Sequence, residues 1–112
     1  MDMNNALQKF DALSHEMRLK IIKFLVPYGN KGSVVKSIAE FFQLPHNSVS
    51  THLQKLKISG LVESTRDGKF VYYMVNFSAL NTLIEYLLEN CCTKESSSCI
   101  ELPILKQQQN KR

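Results

Sequence analysis

The chain has 112 residues, 44% hydrophobic and 21% charged, with a formal net charge of +4 and an isoelectric point near 9.0. That length supports one domain around one core and excludes a multidomain machine. The basic excess suits a polyanionic partner such as nucleic acid, so where the cations lie matters more than their number. No apolar run approaches the roughly 20 residues needed to span a bilayer, and "MDMNNALQKF" has neither the cationic nor the apolar stretch of a secretion signal. The expectation is a cytoplasmic protein without a membrane partner.

Ala6, Leu7, Phe10 and Leu13 recur at three- and four-residue steps, the pattern of a short amphipathic helix. In "SHEMRLKIIKFLV", Ser14 is placed to cap a second helix and Glu16 falls in its first turn. Met17, Ile21, Ile22, Leu25 and Val26 give that helix a wide apolar face suited to the centre of the fold. Pro27 stops it, with Gly29 and Gly32 close behind. "SVVKSIAEFFQL" predicts a third helix, capped by Ser33 and packing through Val35, Ile38, Ala39 and Phe42. After Pro45, "HNSVSTHLQKLKISG" sets Val49, Leu53 and Leu56 on one side and polar residues on the others, then ends at Gly60, a residue type that closes helices.

The period then changes. In "LVESTRDGKFVYYMV", Asp67-Gly68 separates two β-prone segments, a strong hairpin signal. "NFSALNTLIEYLLENCC" returns to helical spacing through Phe77, Leu80, Ile84 and Leu87 or Leu88, with Asn76 as its cap. The predicted fold class is mainly α with a β-hairpin wing, a winged helix-turn-helix over residues 1–92. A polar tail, 93–112, follows and reads as flexible apart from "IELPIL".

A DNA-reading helix anchors one face in the core and offers small polar and basic side chains to a groove about 12 Å wide. Asn47, Ser48, Ser50, Thr51 and His52 are short enough for that, and Gln54 and Lys55 reach base edges or phosphates. The competing reading is an ordinary solvated helix face. Arg66 and Lys69, at the hairpin tip, are placed to straddle a phosphate backbone, and Arg66 has the reach for a minor groove.

"SVSTHLQKLKISGLVESTRDGKFVYY" resembles the recognition helix and wing of the ArsR/SmtB repressors, whose pattern is V-S-x-H-L-x-x-L-x-x-x-G-L-V, then R-x-G-R/K and an aromatic strand. Val49, Ser50, His52, Leu53, Leu56, Gly60, Leu61, Val62, Arg66, Gly68, Lys69 and Tyr73 fill those places. "ALSHEMRLKIIKFL" is similar to the family's early helix, with Arg18 and Leu25 in register, so the resemblance covers roughly residues 6–92. It implies a homodimer joined through the first and last helices, which binds a palindromic operator in double-stranded DNA and represses transcription until an inducer binds. It also implies that His52 supports the helix-turn-helix more than it reads bases. His15 and His46 read as surface or capping residues, because neither has a second ligand at metal spacing on its helix.

All three cysteines fall in "LIEYLLENCCTKESSSC": Cys91, Cys92 and Cys99. In a reducing compartment this odd cluster is not a disulfide framework. Three sulfurs without imidazole favour a soft three-coordinate guest, As(III) or Sb(III), over zinc, which takes four ligands. Neighbours on a helix point about 100° apart, so Cys91 and Cys92 converge on one atom only where the helix frays. "LLENCC" resembles the last-helix end of an arsenic-responsive subgroup, in which a vicinal cysteine pair and a third cysteine bind arsenite. The chain departs from the better-known arsenic members, since "VVKSIAEFFQL" carries no cysteine where they have ELCVCDL, and it lacks the histidine and aspartate ligands of the last-helix zinc sensors. Thiol oxidation or persulfide sensing is the alternative use of these residues, although a helix C-terminus disfavours the thiolate; incidental cysteines are the third reading. An enzyme is not expected, because the chain offers no C-x-x-C motif, activating base or cofactor loop.

Overall fold

A computed structural model describes residues 1–95; the rest of the predicted tail, with Cys99, lies outside the described residues. Five helices and a three-stranded antiparallel sheet form around one core. The helices are α1 (Met3–Leu13), α2 (Glu16–Leu25), α3 (Val35–Phe42), α4 (His46–Ser59) and α5 (Phe77–Leu87), and the strands are β1 (Ser33–Val34), β2 (Val62–Asp67) and β3 (Phe70–Val75). The sheet order is β1-β3-β2. No helix among the described residues is long and apolar enough to cross a membrane.

The core gathers the stripes that periodicity picks out: Ile21, Ile22 and Leu25 of α2, Ile38 and Ala39 of α3, and Val49, Leu53 and Leu56 of α4 are buried. Burial of each such side chain is worth about 1.5–3 kcal/mol, which explains why α4 keeps its register although its outward face is wholly polar apart from Ile58. Its end is closed firmly. Gly60 takes φ 89 and donates to Leu56 and Lys57, while the Leu61 amide donates to Leu56 at 3.1 Å. This double bond pattern is the Schellman stop, and its apolar partners Leu56 and Leu61 are both fully buried. The chain therefore leaves the helix on a fixed path into the wing.

Several local expectations are corrected. Ser14 closes α1 instead of opening α2: its hydroxyl donates to the Asp11 carbonyl at 2.8 Å, and His15 caps α2 through Nδ1, 3.2 Å from the Met17 amide. Ser33 does not cap α3; it lies in β1, opposite Tyr73, and Val34 precedes the helix without a side-chain cap. Leu7 and Phe10 do not share the core stripe of α1. Ala6 and Ala12 are buried, whereas Leu7 and Phe10 are exposed beside Met3. Asp67 pairs with Phe70, so the two-residue turn is Gly68-Lys69, and only Gly68 has positive φ. That is the type II′ arrangement, which needs glycine first. Asn76 caps α5 as expected, accepting from Ala79 at 3.0 Å.

Candidate nucleic-acid interface

On α4 the residues opposite the buried stripe are Asn47, Ser50, Thr51 and Gln54, all exposed. Lys55 stands on the flank towards α1 and α2, and Lys57 on the flank towards the wing. Ser48 and His52 are half-buried. Thr51 Oγ1 donates to the Asn47 carbonyl at 2.8 Å, which leaves its oxygen lone pairs and methyl group for a partner. The structure therefore brings Asn47, Ser50, Thr51, Gln54 and Lys55 onto one surface and separates His52 from it. His52 turns inward, its ring 4.8 Å from that of His15, and its Nδ1 is buried without a hydrogen-bond partner among the described residues.

Arg66 and Lys69 are exposed on the hairpin, Arg66 within β2 opposite Val71 and Lys69 in the turn. Between wing and helix lies a tie that the pattern of residues did not reveal: Lys57 Nζ donates to Ser64 Oγ at 2.7 Å. It joins α4 to β2 and sets the helix and the wing relative to each other. Only the tertiary fold brings these side chains together. Arg18 is likewise held in place, its Nε donating to the Ala12 carbonyl at 2.6 Å. Among the described residues the one ion pair is Lys20–Glu16, so Arg66, Lys69 and Lys55 have no carboxylate partner there, and their charge is available to phosphates.

A small anchored helix with a polar outward face, followed by a basic hairpin, is the arrangement that reads a major groove and clamps its flanking backbone. The chain is 35% identical over 88 residues to the transcriptional repressor SdpR of Bacillus subtilis, covering 77% of this chain and 89% of that one. It is 32% identical over 85 residues to the arsenical resistance operon repressor of the same organism, covering 76% and 77%. Among solved structures, an ArsR-like transcriptional regulator from Rhodococcus sp. RHA1 superposes with a TM-score of 0.69 at 26% identity, over 84% of this chain and 85% of that one. This chain belongs to the ArsR family of winged helix-turn-helix regulators.

As an ArsR-family member it is a DNA-binding transcriptional repressor, and the relatives it matches are regulators, not enzymes. The fold is shared with the winged helix-turn-helix domain Mb0332 of Mycobacterium bovis, itself described as homodimeric, with a TM-score of 0.65 at 23% identity over 88% and 90% of the two chains. No protein-family profile matches the chain.

The cysteine-bearing end departs from a regular helix as convergence of the two sulfurs requires. α5 stops at Leu87, and Asn90 and Cys92 both take φ 62. The left-handed backbone redirects successive side chains, and Cys91 Sγ comes to 3.2 Å from Cys92 Sγ. A disulfide measures about 2.05 Å, so this is contact between two sulfurs and not a bond. Among the described residues no three His, Cys, Asp or Glu side chains are arranged to hold an ion. The proposed third ligand, Cys99, lies outside them.

Proposed function

We propose that this ArsR-family repressor acts as a homodimer on a two-fold operator and releases it when As(III) or Sb(III) is held by Cys91, Cys92 and Cys99. The observation that carries the reading is the 3.2 Å approach of the Cys91 and Cys92 sulfurs beyond the end of α5. Two soft donors at that separation can serve one soft centre, and their chemistry fits a thiophilic three-coordinate ion better than zinc.

The dimer reading is supported by apolar side chains that the described residues leave uncovered: Met3, Leu7 and Phe10 on α1 and Leu87 on α5 are exposed. The two helices touch where Tyr86 Oη donates to Met3 Sδ at 3.7 Å. α1 in turn leans on the recognition helix, with Lys9 Nζ beside Gly60 at the close of α4. A change at the cysteines thus has a packed route through α5 and α1 to α4, and half-site spacing on DNA is strict.

The test is a count of reactive thiols per reduced chain before and after one equivalent of arsenite. Protection of all three supports the site, and Cys91→Ser, Cys92→Ser or Cys99→Ser should each keep DNA binding while losing arsenite-driven release. Three thiols that stay reactive would overturn it and leave the cysteines to oxidation or persulfide chemistry; so would serine variants that no longer bind DNA.

A further inference from the structure

Where the α1–α2 turn meets the recognition helix, the fold holds a histidine pair that the DNA-reading surface does not use. His15 Nδ1 accepts the Met17 amide and caps α2, and its ring rests on that of His52, tilted by 47°. His52 sits on the inward flank of α4 with Nδ1 buried and unpartnered among the described residues. We propose that this contact is an acid-sensitive latch that seats the recognition helix against α2, closed while the His52 imidazole is neutral and opened by its protonation, so that acidification weakens operator binding.

A neutral imidazole has one acceptor nitrogen, and His15 commits it to the α2 cap, so it has none left to accept from a protonated His52. Protonated His52 places a cation against His15 at the N-cap of α2, against Arg18 in the first turn of α2, and beside Lys55 on its own helix. From α1, Asp11 lines the neighbouring cleft with Arg18 and Lys55 but pairs with neither. Glu16, next to His15, is engaged by Lys20 at 2.8 Å. Among the described residues no carboxylate forms an ion pair with His52, although Glu16 also feels the charge of His15. Burial first, then the like charges of His15, Arg18 and Lys55, hold His52 below the usual histidine range.

The sign follows from proton linkage. The unfolded chain takes up the His52 proton near the ordinary value of about 6.5, the folded chain only at lower pH. Stability is complete above that value and falls as the pH drops below it, because the unfolded state then binds more protons. DNA binding needs the seated helix, so the same protons oppose it, by up to about tenfold per pH unit for each proton. Simple charge predicts the reverse, since acid adds cations to a basic protein and strengthens its hold on phosphates.

The experiment uses the full chain and a duplex selected for it from a random-sequence library. Affinity and amide exchange of α4 are compared at about pH 7.5 and about pH 5.5, a span that brackets ordinary histidine titration. The wild type should bind more weakly in acid, with protection lost in α4 but kept in β3. His15→Asp supplies a preferred N-cap and a counter-charge that raises the His52 pKa. The carboxylate opposes burial and the Arg18 and Lys55 charges, so the acid weakening should shrink or reverse. His52→Gln cannot titrate and should flatten the pH trend. Wild-type affinity that holds or strengthens in acid overturns the latch, as does a wild-type trend in folded His15→Asp. If His15→Asp does not fold, a wild-type trend in His52→Gln overturns the latch by itself.

Discussion

Gly32→Ala offers a sharp test of how the sheet supports the wing, and Gly29→Ala shows what backbone strain costs where no clash accompanies it. Both glycines have positive φ, 67 and 57, and Gly29 combines it with ψ −137, outside the left-handed well, so alanine there costs about 1–3 kcal/mol from conformation alone. Their surroundings differ. A Cβ at Gly29 meets nothing within 4 Å, whereas at Gly32 it falls 2.2 Å from the Tyr73 carbonyl oxygen and 2.8 Å from its carbon. Tyr73 cannot retreat, since β3 is the central strand and Tyr73 pairs with Ser33 on one side and Ser64 on the other. β1 must therefore peel away. Losing its short ladder costs about 2 kcal/mol at roughly 1 kcal/mol per hydrogen bond. The expected totals are about 1–3 kcal/mol for Gly29→Ala, all of it backbone strain, and about 3 kcal/mol or more for Gly32→Ala, where the lost ladder adds to the strain. Urea unfolding at fixed protein concentration, with a slope of about 2 kcal/mol per molar, should show a midpoint loss of about 1.5 M or more for Gly32→Ala. A Gly32→Ala midpoint within about 0.5 M of wild type would refute the account of β1 as a strand held against β3.

Arg66→Ala and Lys69→Ala should each weaken binding to any duplex and lower the salt slope of log affinity by about 0.9 per lost phosphate contact; an unchanged slope removes that residue from the backbone contacts. Leu53→Ala, at a fully buried position of α4, should cost about 2–5 kcal/mol in thermal or urea unfolding. A loss under about 1 kcal/mol would mean that α4 is not anchored by this stripe.

The readings that succeeded depend on near neighbours. The Val49, Leu53 and Leu56 stripe, the Gly60 stop and the Asn76 cap are each set by residues within one or two turns, so spacing and residue type suffice to place them. The failures have a common form. Ser14 and His15 are adjacent and both able to cap; the Ser14 hydroxyl turns back to Asp11, and the α2 cap passes to His15. β1 is two residues long and exists only because Tyr72 and Tyr73 lie beside it. Leu7 and Phe10 fit the period of a core stripe, but α1 meets the core through Ala6 and Ala12 and leaves them bare.

By itself the sequence determined the family, the order of the elements, the anchored face of the recognition helix and the basic tip of the wing, because periodicity and motif encode what lies close along the chain. The tertiary structure decided what no spacing contains: that Lys57 reaches across to Ser64, that His52 turns from the groove to meet His15, and that the backbone beyond Leu87 brings the Cys91 and Cys92 sulfurs into contact. The first two contacts join separate elements, and the third arises where the helix has already ended. They depend on how the chain packs and turns in space, which the helical period alone does not specify.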